Sequence, residues 1–272
     1  MRTFNTIARR RSTWTLIKGS ILLIALTSLA SGYLLTYPEP VAASSLARIG
    51  KSAQRTSSPT KTSPALTFTS SSSGGASIVP NCTPGAKTPQ PTAPNLSPDQ
   101  SGLQQVILPN AIYTVYGNTV SQISTQMAVC TPVSDNGSDR FAASTDYALN
   151  WNFRYQDKGD GVCTVTNASV GITIAEIFPS WQPSAGAAAG LSGSWQTFIH
   201  NLAAHEAGHV SLDQAAAATI LSDLQSIPAT DCGRILEVAA GRVSSNIAAL
   251  NSANDAYDAA TNHGATQGAV LR

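Results

Sequence analysis

Charged residues are scarce in this sequence, at 11% of its 272 positions. They are also unevenly distributed. The first 18 residues carry only basic charges, whereas the region from Ser101 onward holds six basic and thirteen acidic residues and is therefore acidic. An acidic body lacks the positive surface with which proteins bind the phosphates of DNA or RNA. We therefore expect no nucleic-acid partner.

Cysteine is also scarce, and its spacing excludes two kinds of site. The four cysteines, Cys82, Cys130, Cys163 and Cys232, are far apart, so no Cys-x-x-Cys pair of a metal knuckle or redox motif is present. Separated cysteines are typical of structural disulfides in an oxidising compartment. Of the three possible pairings we favour Cys130 with Cys163, because both fall in the strand-rich part of the chain. Cys82 would then pair with Cys232.

A basic N-terminus precedes an apolar run at residues 21–35. This is the layout of a secretory signal. With its flanks the run also reaches about the 18 residues of a membrane-spanning helix, so an uncleaved anchor fits equally well. The positive-inside rule places the remainder of the chain across the membrane. We predict a signal peptide or signal anchor over residues 1–37, in a protein that is secreted or anchored to the outer face of the cytoplasmic membrane.

Residues 38–100 are rich in Ser, Thr, Pro and Ala and lack apolar periodicity. Such a composition buries too little apolar surface to offset the entropy lost on ordering. We predict a disordered stalk over residues 38–100, followed by a folded domain over residues 101–272.

The folded domain has strand patterns first and helix patterns afterwards. The strand-like segments are 106–108, 112–116, 147–155, 162–165 and 170–177, the third with clear apolar alternation. Apolar residues then recur at spacings of three and four, over about 192–227 and 234–260, on either side of Pro228. This order predicts an α+β fold, with a small antiparallel sheet followed by an antiparallel pair of long helices.

The chemistry depends on His205-Glu206-Ala207-Gly208-His209, an H-E-x-x-H motif within the first long helix. Residues four apart share one helix face, so two imidazoles can bind a single Zn²⁺. Glu206 can take a proton from a zinc-bound water, whose pKa falls from 15.7 to about 7, and return it to the leaving amine. The alternative is a histidine pair on a solvated helix face. Because only four histidines occur in the chain, two of them in the motif, we favour the metal.

A catalytic zinc also needs a third protein ligand. No histidine follows the motif within a few residues, so the ligand comes from elsewhere. His263, at the end of the second helix, is the leading candidate, and Glu237 and Asp258 are carboxylate alternatives. Asp213, one turn after the motif, either orients an imidazole or is solvated polar surface.

Together with the motif, the C-terminal pattern Tyr257-Asp258-x-x-Thr261-x-His263-Gly264-x-x-Gln267-Gly268 resembles the bacterial DUF922 family of secreted zinc-dependent proteases. The resemblance extends from about Leu103 to the C-terminus. It implies a zincin-like metallopeptidase and places residues 257–268 at the site. Tyr257 would then donate to an oxyanion, or else pack on the buried face of its helix.

These observations predict an extracytoplasmic zinc peptidase that acts on protein or peptide substrates. They predict membrane contact only through the N-terminal segment, if that segment is not cleaved. Two alternatives are left open. One is a non-catalytic cell-surface binding module that keeps the helix pair for structure, and the other is a zinc amidase that acts on the cell wall.

Overall fold

A computed structural model describes residues 6–9, 82, 87–97, 99–135, 139–183 and 185–272. Its elements are β1 (Thr6–Arg9), β2 (Gly102–Ile107), β3 (Ala111–Tyr116), α1 (Val120–Cys130), β4 (Ser134–Asp135), β5 (Asp139–Arg140), β6 (Ser144–Asp157), β7 (Val162–Gln182), α2 (Leu191–Gln225), β8 (Thr230–Asp231), α3 (Ile235–Thr261) and a 3₁₀ turn (Ala265–Gln267). None of the helices in these ranges has the length and apolar character that a membrane span requires. Of the predicted signal peptide or signal anchor at 1–37, residues 6–9 are described, and its apolar run at 21–35 lies outside the described residues.

The main sheet is organised around the 21-residue strand β7. β6 runs antiparallel to it on one side. On the other side β2 and β3 follow one another along β7, and both run parallel to it. The short strands β1 and β8 add antiparallel pairs to β6 and β7.

The prediction of a small antiparallel sheet is therefore wrong. Within the described residues the sheet has six strands of mixed direction, and with the helices it forms an α/β arrangement. Apolar alternation identifies a strand but not the direction of its partner. Here the chain leaves β3 and passes through α1 and β6 before β7 returns beside β2 and β3, and only such a long crossover permits parallel pairing.

One face of β6 and β7 packs against α2 and α3. Alternate residues of the two strands, such as Phe153 and Ile172, join Ile220 and Leu224 of α2 and Ile235 of α3 in a buried core. The period of two in the strands and of 3.6 in the helices both direct apolar side chains into this layer. Each large aliphatic side chain buried there contributes about 1.5–3 kcal/mol. The core therefore fixes α2, which carries the motif, against the sheet.

The two long helices are antiparallel. Arg242, early in α3, donates to the carbonyl of Asp223 near the end of α2, whereas Asn254, late in α3, contacts His209 in the middle of α2. The pairing therefore brings the C-terminal half of α3 to the motif.

The opposite face of the sheet is partly covered by residues 87–97. Ala93 and Leu96 are buried there, and the Asn150 side chain of β6 donates to the carbonyl of Pro94. These residues belong to the region predicted as a disordered stalk. Part of residues 87–97 is therefore packed against the sheet.

All four cysteines lie in the described residues, and they form two disulfides, Cys82–Cys130 and Cys163–Cys232. The prediction of structural disulfides is confirmed, but the favoured pairing is wrong. The strand β8 pairs with the start of β7, with Thr230 opposite Cys163, and this places Cys232 beside Cys163. A two-residue strand has too little pattern to be recognised from sequence.

Candidate metal centre

His205, Glu206 and His209 lie in the middle of α2 and are all buried. The two imidazoles are on one side of the helix, with ring centroids 4.9 Å apart. Asp258 of α3 faces them, because its Oδ1 is 3.3 Å from Nε2 of His205 and 3.0 Å from Nε2 of His209. One ligand atom from each of His205, His209 and Asp258 lies within 4.8 Å of the others, so these three residues could hold a metal ion.

Asp258 is thus the residue that completes the group with His205 and His209, although His263 was predicted as the leading candidate. His263 borders it, with Nδ1 3.8 Å from Oδ1 of Asp258 and its ring 5.0 Å from that of Phe141. The difference arises where α3 ends. The helix stops at Thr261, and the left-handed backbone of Asn262 and His263, with φ of 49° and 51°, turns the chain away from the helix.

Glu237, the other carboxylate candidate, is not at the site. It lies in the first turn of α3, at the opposite end of the helix from Asp258. Its side chain is 71% exposed and lies 3.7 Å from the guanidinium of Arg234. We therefore exclude Glu237 as a ligand.

A chain of hydrogen bonds fixes the protonation of His209. Its Nδ1 is 2.6 Å from Oδ1 of Asn254, whose amide nitrogen donates to Oδ1 of Asp213 and to the carbonyl of Leu250. A carbonyl only accepts, so the amide nitrogen of Asn254 points to Leu250 and its oxygen to His209. The proton of His209 therefore lies on Nδ1, and the Nε2 lone pair faces Asp258.

A second chain of hydrogen bonds has the same effect on His205. The hydroxyl of Tyr257 donates to the carbonyl of His205 at 3.2 Å and accepts from the amide of Gln267 at 3.1 Å. Gln267 must then present its oxygen to Nδ1 of His205, 3.0 Å away. Nδ1 of His205 is therefore a donor, and its Nε2 lone pair also faces Asp258.

The two chains leave three acceptor atoms facing one another: both Nε2 atoms and Oδ1 of Asp258. Acceptors this close, two of them on buried imidazoles and one on the partly buried Asp258, require a positive charge between them. Two imidazoles and a carboxylate are a donor set that suits zinc and several other divalent metals. The residues present therefore fit a divalent ion.

The pKa shifts of Asp258 and His209 are consistent with a positive charge at this point. Burial alone would raise the pKa of Asp258, but when protons on the two Nε2 atoms supply the positive charge, the hydrogen bonds from His205 and His209 and the histidine charges hold it well below its usual range. Burial alone would lower the pKa of His209, but Asp258, Asn254 and Glu206 outweigh it and raise the pKa. Both shifts favour a cation beside a carboxylate at this point.

Glu206 lies beside the three acceptor atoms and is held by Thr145. The Thr145 hydroxyl at the start of β6 donates to Oε2 of Glu206 at 2.8 Å. Burial raises the pKa of Glu206, and the two imidazoles and Thr145 offset only part of this effect. Glu206 is therefore a stronger base than a surface glutamate.

Tyr257 packs against both imidazoles. Its ring is stacked on His205 at 5.1 Å and meets His209 edge-on at 5.0 Å. Gly208 permits this approach, since a Cβ there would lie 2.2 Å from the Tyr257 hydroxyl. The hydroxyl is bonded to His205 and Gln267, so Tyr257 positions the motif helix. Its donation to an oxyanion stays a prediction.

Sequence reasoning missed two residues of the site, Thr145 and Asn254. Asn254 had a signal, because Asn254, Asp258 and Thr261 recur at spacings of four and three and so share one face of α3. Thr145 had none, because its position depends on how β6 is placed beneath α2. Asp213 does act on an imidazole, but through Asn254.

The family described as "Bacterial protein of unknown function (DUF922)" matches residues 111–264, more than half of the chain. The chain belongs to the DUF922 family. The match includes the three candidate ligands and ends before Gln267. No curated protein and no solved structure matches the DUF922 chain. The family description assigns no function, so protease activity is a proposal for this DUF922 protein.

Proposed function

We propose that this DUF922 protein is a metal-dependent peptidase, in which His205, His209 and Asp258 hold zinc and Glu206 is the general base. One observation carries the proposal: acceptor atoms of two buried histidines and of the partly buried Asp258 converge within 4.8 Å beside a buried glutamate. Catalytic zinc sites commonly have three protein ligands and one open position. The H-E-x-x-H motif on α2 supports peptides as the substrate class.

A divalent ion bound here supplies Lewis acidity, which polarises a carbonyl and makes water more acidic. The residues of the chain account for the proton transfers. Glu206 accepts a proton from the attacking water and delivers it to the nitrogen of the leaving amine. Thr145 fixes Oε2 of Glu206, which leaves Oε1 as the oxygen that exchanges this proton.

Two further features support the details of the proposal. Two histidines and a carboxylate also occur in iron(II) oxygenases, but a buried glutamate next to the ligands favours hydrolysis, which needs a general base. The two disulfides fit an oxidising compartment. They support the proposal that the peptidase acts outside the cytoplasm, either secreted or held at the membrane.

The test compares Glu206→Gln with the wild-type protein after loading with zinc. Glu206→Gln should bind zinc normally and lose about 10²–10⁴-fold in the rate of hydrolysis of casein and peptide libraries, because the general base is absent. Glu237→Gln is the matched control, since it is the same chemical change at an exposed position and should leave the rate unchanged.

Three results would contradict the proposed peptidase function. Full activity in Glu206→Gln would exclude Glu206 as the base. Zinc binding without any hydrolysis by the wild-type protein would favour a binding module. Hydrolysis of peptidoglycan amides without hydrolysis of casein or peptides would favour a cell-wall amidase.

A further inference from the structure

An apolar groove of about 370 Å³ lies beside the first half of α2. Its apolar walls come from β3, β7 and α2 and include Ile112, Phe178, Trp181, Trp195, Ile199 and Ala203. The rings of Trp181 and Trp195 are 5.9 Å apart. Ala203 lies three residues before Glu206 on the same helix, so this end of the groove is about one helical turn from the proposed base.

Glu176 of β7 lies between this groove and Glu206. Residues two apart on a strand point to the same face, so Glu176 shares the α2-facing side of the sheet with Ile174 of the core and Phe178 of the groove. Across the sheet Glu176 is directly opposite Thr145, the residue that donates to Glu206. Opposite residues of antiparallel strands have Cβ atoms about 4.5–5.5 Å apart. Glu176 therefore lies level with Glu206 along α2.

Among the described residues, no positive charge compensates the carboxylate of Glu176. It is partly buried, and within the described ranges it takes part in no hydrogen bond or ion pair. Burial raises its pKa, with no opposing contribution from a cation. Withdrawing a carboxylate from water is unfavourable unless a donor or cation replaces the lost hydration. A cationic group on a ligand would supply that partner through a charge-assisted hydrogen bond.

We propose that Glu176 and the groove form a substrate subsite for an extended peptide, with a cationic group at Glu176 and a bulky apolar side chain in the groove. The inference rests on the proposed peptidase function and adds to it a class of substrate. The acidic character of the folded region favours the approach of such a peptide. The cation is either a lysine or arginine side chain or a free amino terminus.

Peptide binding can be measured apart from hydrolysis in the zinc-loaded Glu206→Gln protein. Trp181 and Trp195 line the groove, so their fluorescence should report its occupation. The probes are capped peptides with phenylalanine next to lysine, the same peptides with norleucine in place of lysine, and norleucine peptides with a free amino terminus. We expect a cationic peptide to bind about tenfold more tightly than the capped norleucine peptide, on the scale of a charge-assisted hydrogen bond.

In the Glu206→Gln protein, a second substitution, Glu176→Gln, should reduce the preference for the cationic peptide to less than about twofold. The substitution removes the charge and keeps the shape of the side chain. Adding Glu237→Gln should leave the preference unchanged. Glu176→Lys should reverse it in favour of a peptide with glutamate in place of lysine. The peptide whose preference Glu176→Gln removes, lysine-bearing or free at its terminus, identifies the source of the cation.

Equal binding of the lysine, free-terminus and norleucine peptides would overturn the subsite, as would a charge preference that survives Glu176→Gln. Failure to bind any of the peptides would overturn it too. Failure of the proposed function differs from these results, because it appears in the protein with Glu206 intact as absence of zinc or of any hydrolysis. A peptidase without charge preference would contradict only the subsite.

Discussion

The two imidazoles of the site make equivalent bonds but are held by different parts of the molecule. His209 is oriented by Asn254 and Asp213, both fully buried between α2 and α3. His205 is oriented by Gln267, an exposed residue beyond the end of α3. The half of the site around His209 is therefore formed by the packing of α2 against α3. The half around His205 is completed by the C-terminal turn. We infer that the bonds around His209 stabilise both the fold and the metal centre. The bonds around His205 stabilise the metal centre but contribute little to the fold.

The C-terminal turn reaches His205 because the chain reverses after α3. Gly264 has a left-handed φ of 79°, and a Cβ on it would lie 3.0 Å from the His205 ring. The turn is then fixed by Asn201 of α2, which donates to the carbonyl of Gly268 at 3.0 Å, and by the buried Leu271. A few contacts near the C-terminus thus support this half.

The largest effect is expected at Asp258, which both halves share. Asp258→Ala should lower zinc affinity more than about 100-fold, beyond the cost of losing an orienting partner. His263→Ala should lower it less than about tenfold, because His263 only borders the group. Competition with a chromophoric chelator measures both. A larger loss in His263→Ala would show that His263, as first predicted from the sequence, is the third ligand.

Asn254→Ala should damage folding and metal binding together. It removes the hydrogen bonds that Asn254 makes to Asp213 and His209 in a buried position, which costs about 1–3 kcal/mol of unfolding free energy. It should also lower zinc affinity about 10–100-fold. Urea unfolding in the presence of a chelator measures the first effect and zinc competition the second. Unchanged stability would show that the two halves do not differ as described.

Gly208→Ala should separate the helices at Tyr257. The added Cβ would meet the Tyr257 hydroxyl at 2.2 Å, and overpacking of this kind costs about 1–3 kcal/mol. Gly193→Ala is the matched control on the same helix, since nothing lies within 4 Å of its Cβ. The unfolding free energy of Gly193→Ala should increase by up to about 1 kcal/mol, because alanine has a higher helix propensity than glycine. Thermal unfolding of both variants checks this, and equal Tm values would contradict the close approach.

Of the residues that orient an imidazole, Gln267 should give the smallest effect when it is changed to alanine. Water can replace an exposed amide, so zinc affinity should fall only about tenfold, and the unfolding free energy should change by less than about 0.5 kcal/mol. Gln267→Glu keeps an acceptor for His205 and should retain more affinity. A loss of stability as large as that in Asn254→Ala would remove the distinction between the two halves.

The helices and the motif were predictable from sequence because their signals are local. The spacing of apolar residues indicated 192–227 and 234–260, close to the observed Leu191–Gln225 and Ile235–Thr261. The H-E-x-x-H spacing likewise placed two imidazoles on one face. Each of these features is determined by residues within one or two turns.

The features that sequence reasoning missed all depend on distant parts of the chain. The parallel pairing of β2 and β3 depends on a crossover, and the Cys163–Cys232 bridge on a two-residue strand. His263 ranked above Asp258 because no pattern showed that the left-handed backbone of Asn262 and His263 turns the chain away from the helix. Thr145 meets Glu206 only because β6 packs beneath α2.

The most direct test of the central claim is the metal content of the full-length protein after equilibrium dialysis against zinc, combined with X-ray absorption at the zinc edge. We predict about one tightly held ion per chain with two imidazoles among its ligands, and loss of that ion when His205 and His209 are both changed to alanine. A protein that binds no zinc, or binds it equally well without the two histidines, would contradict the account.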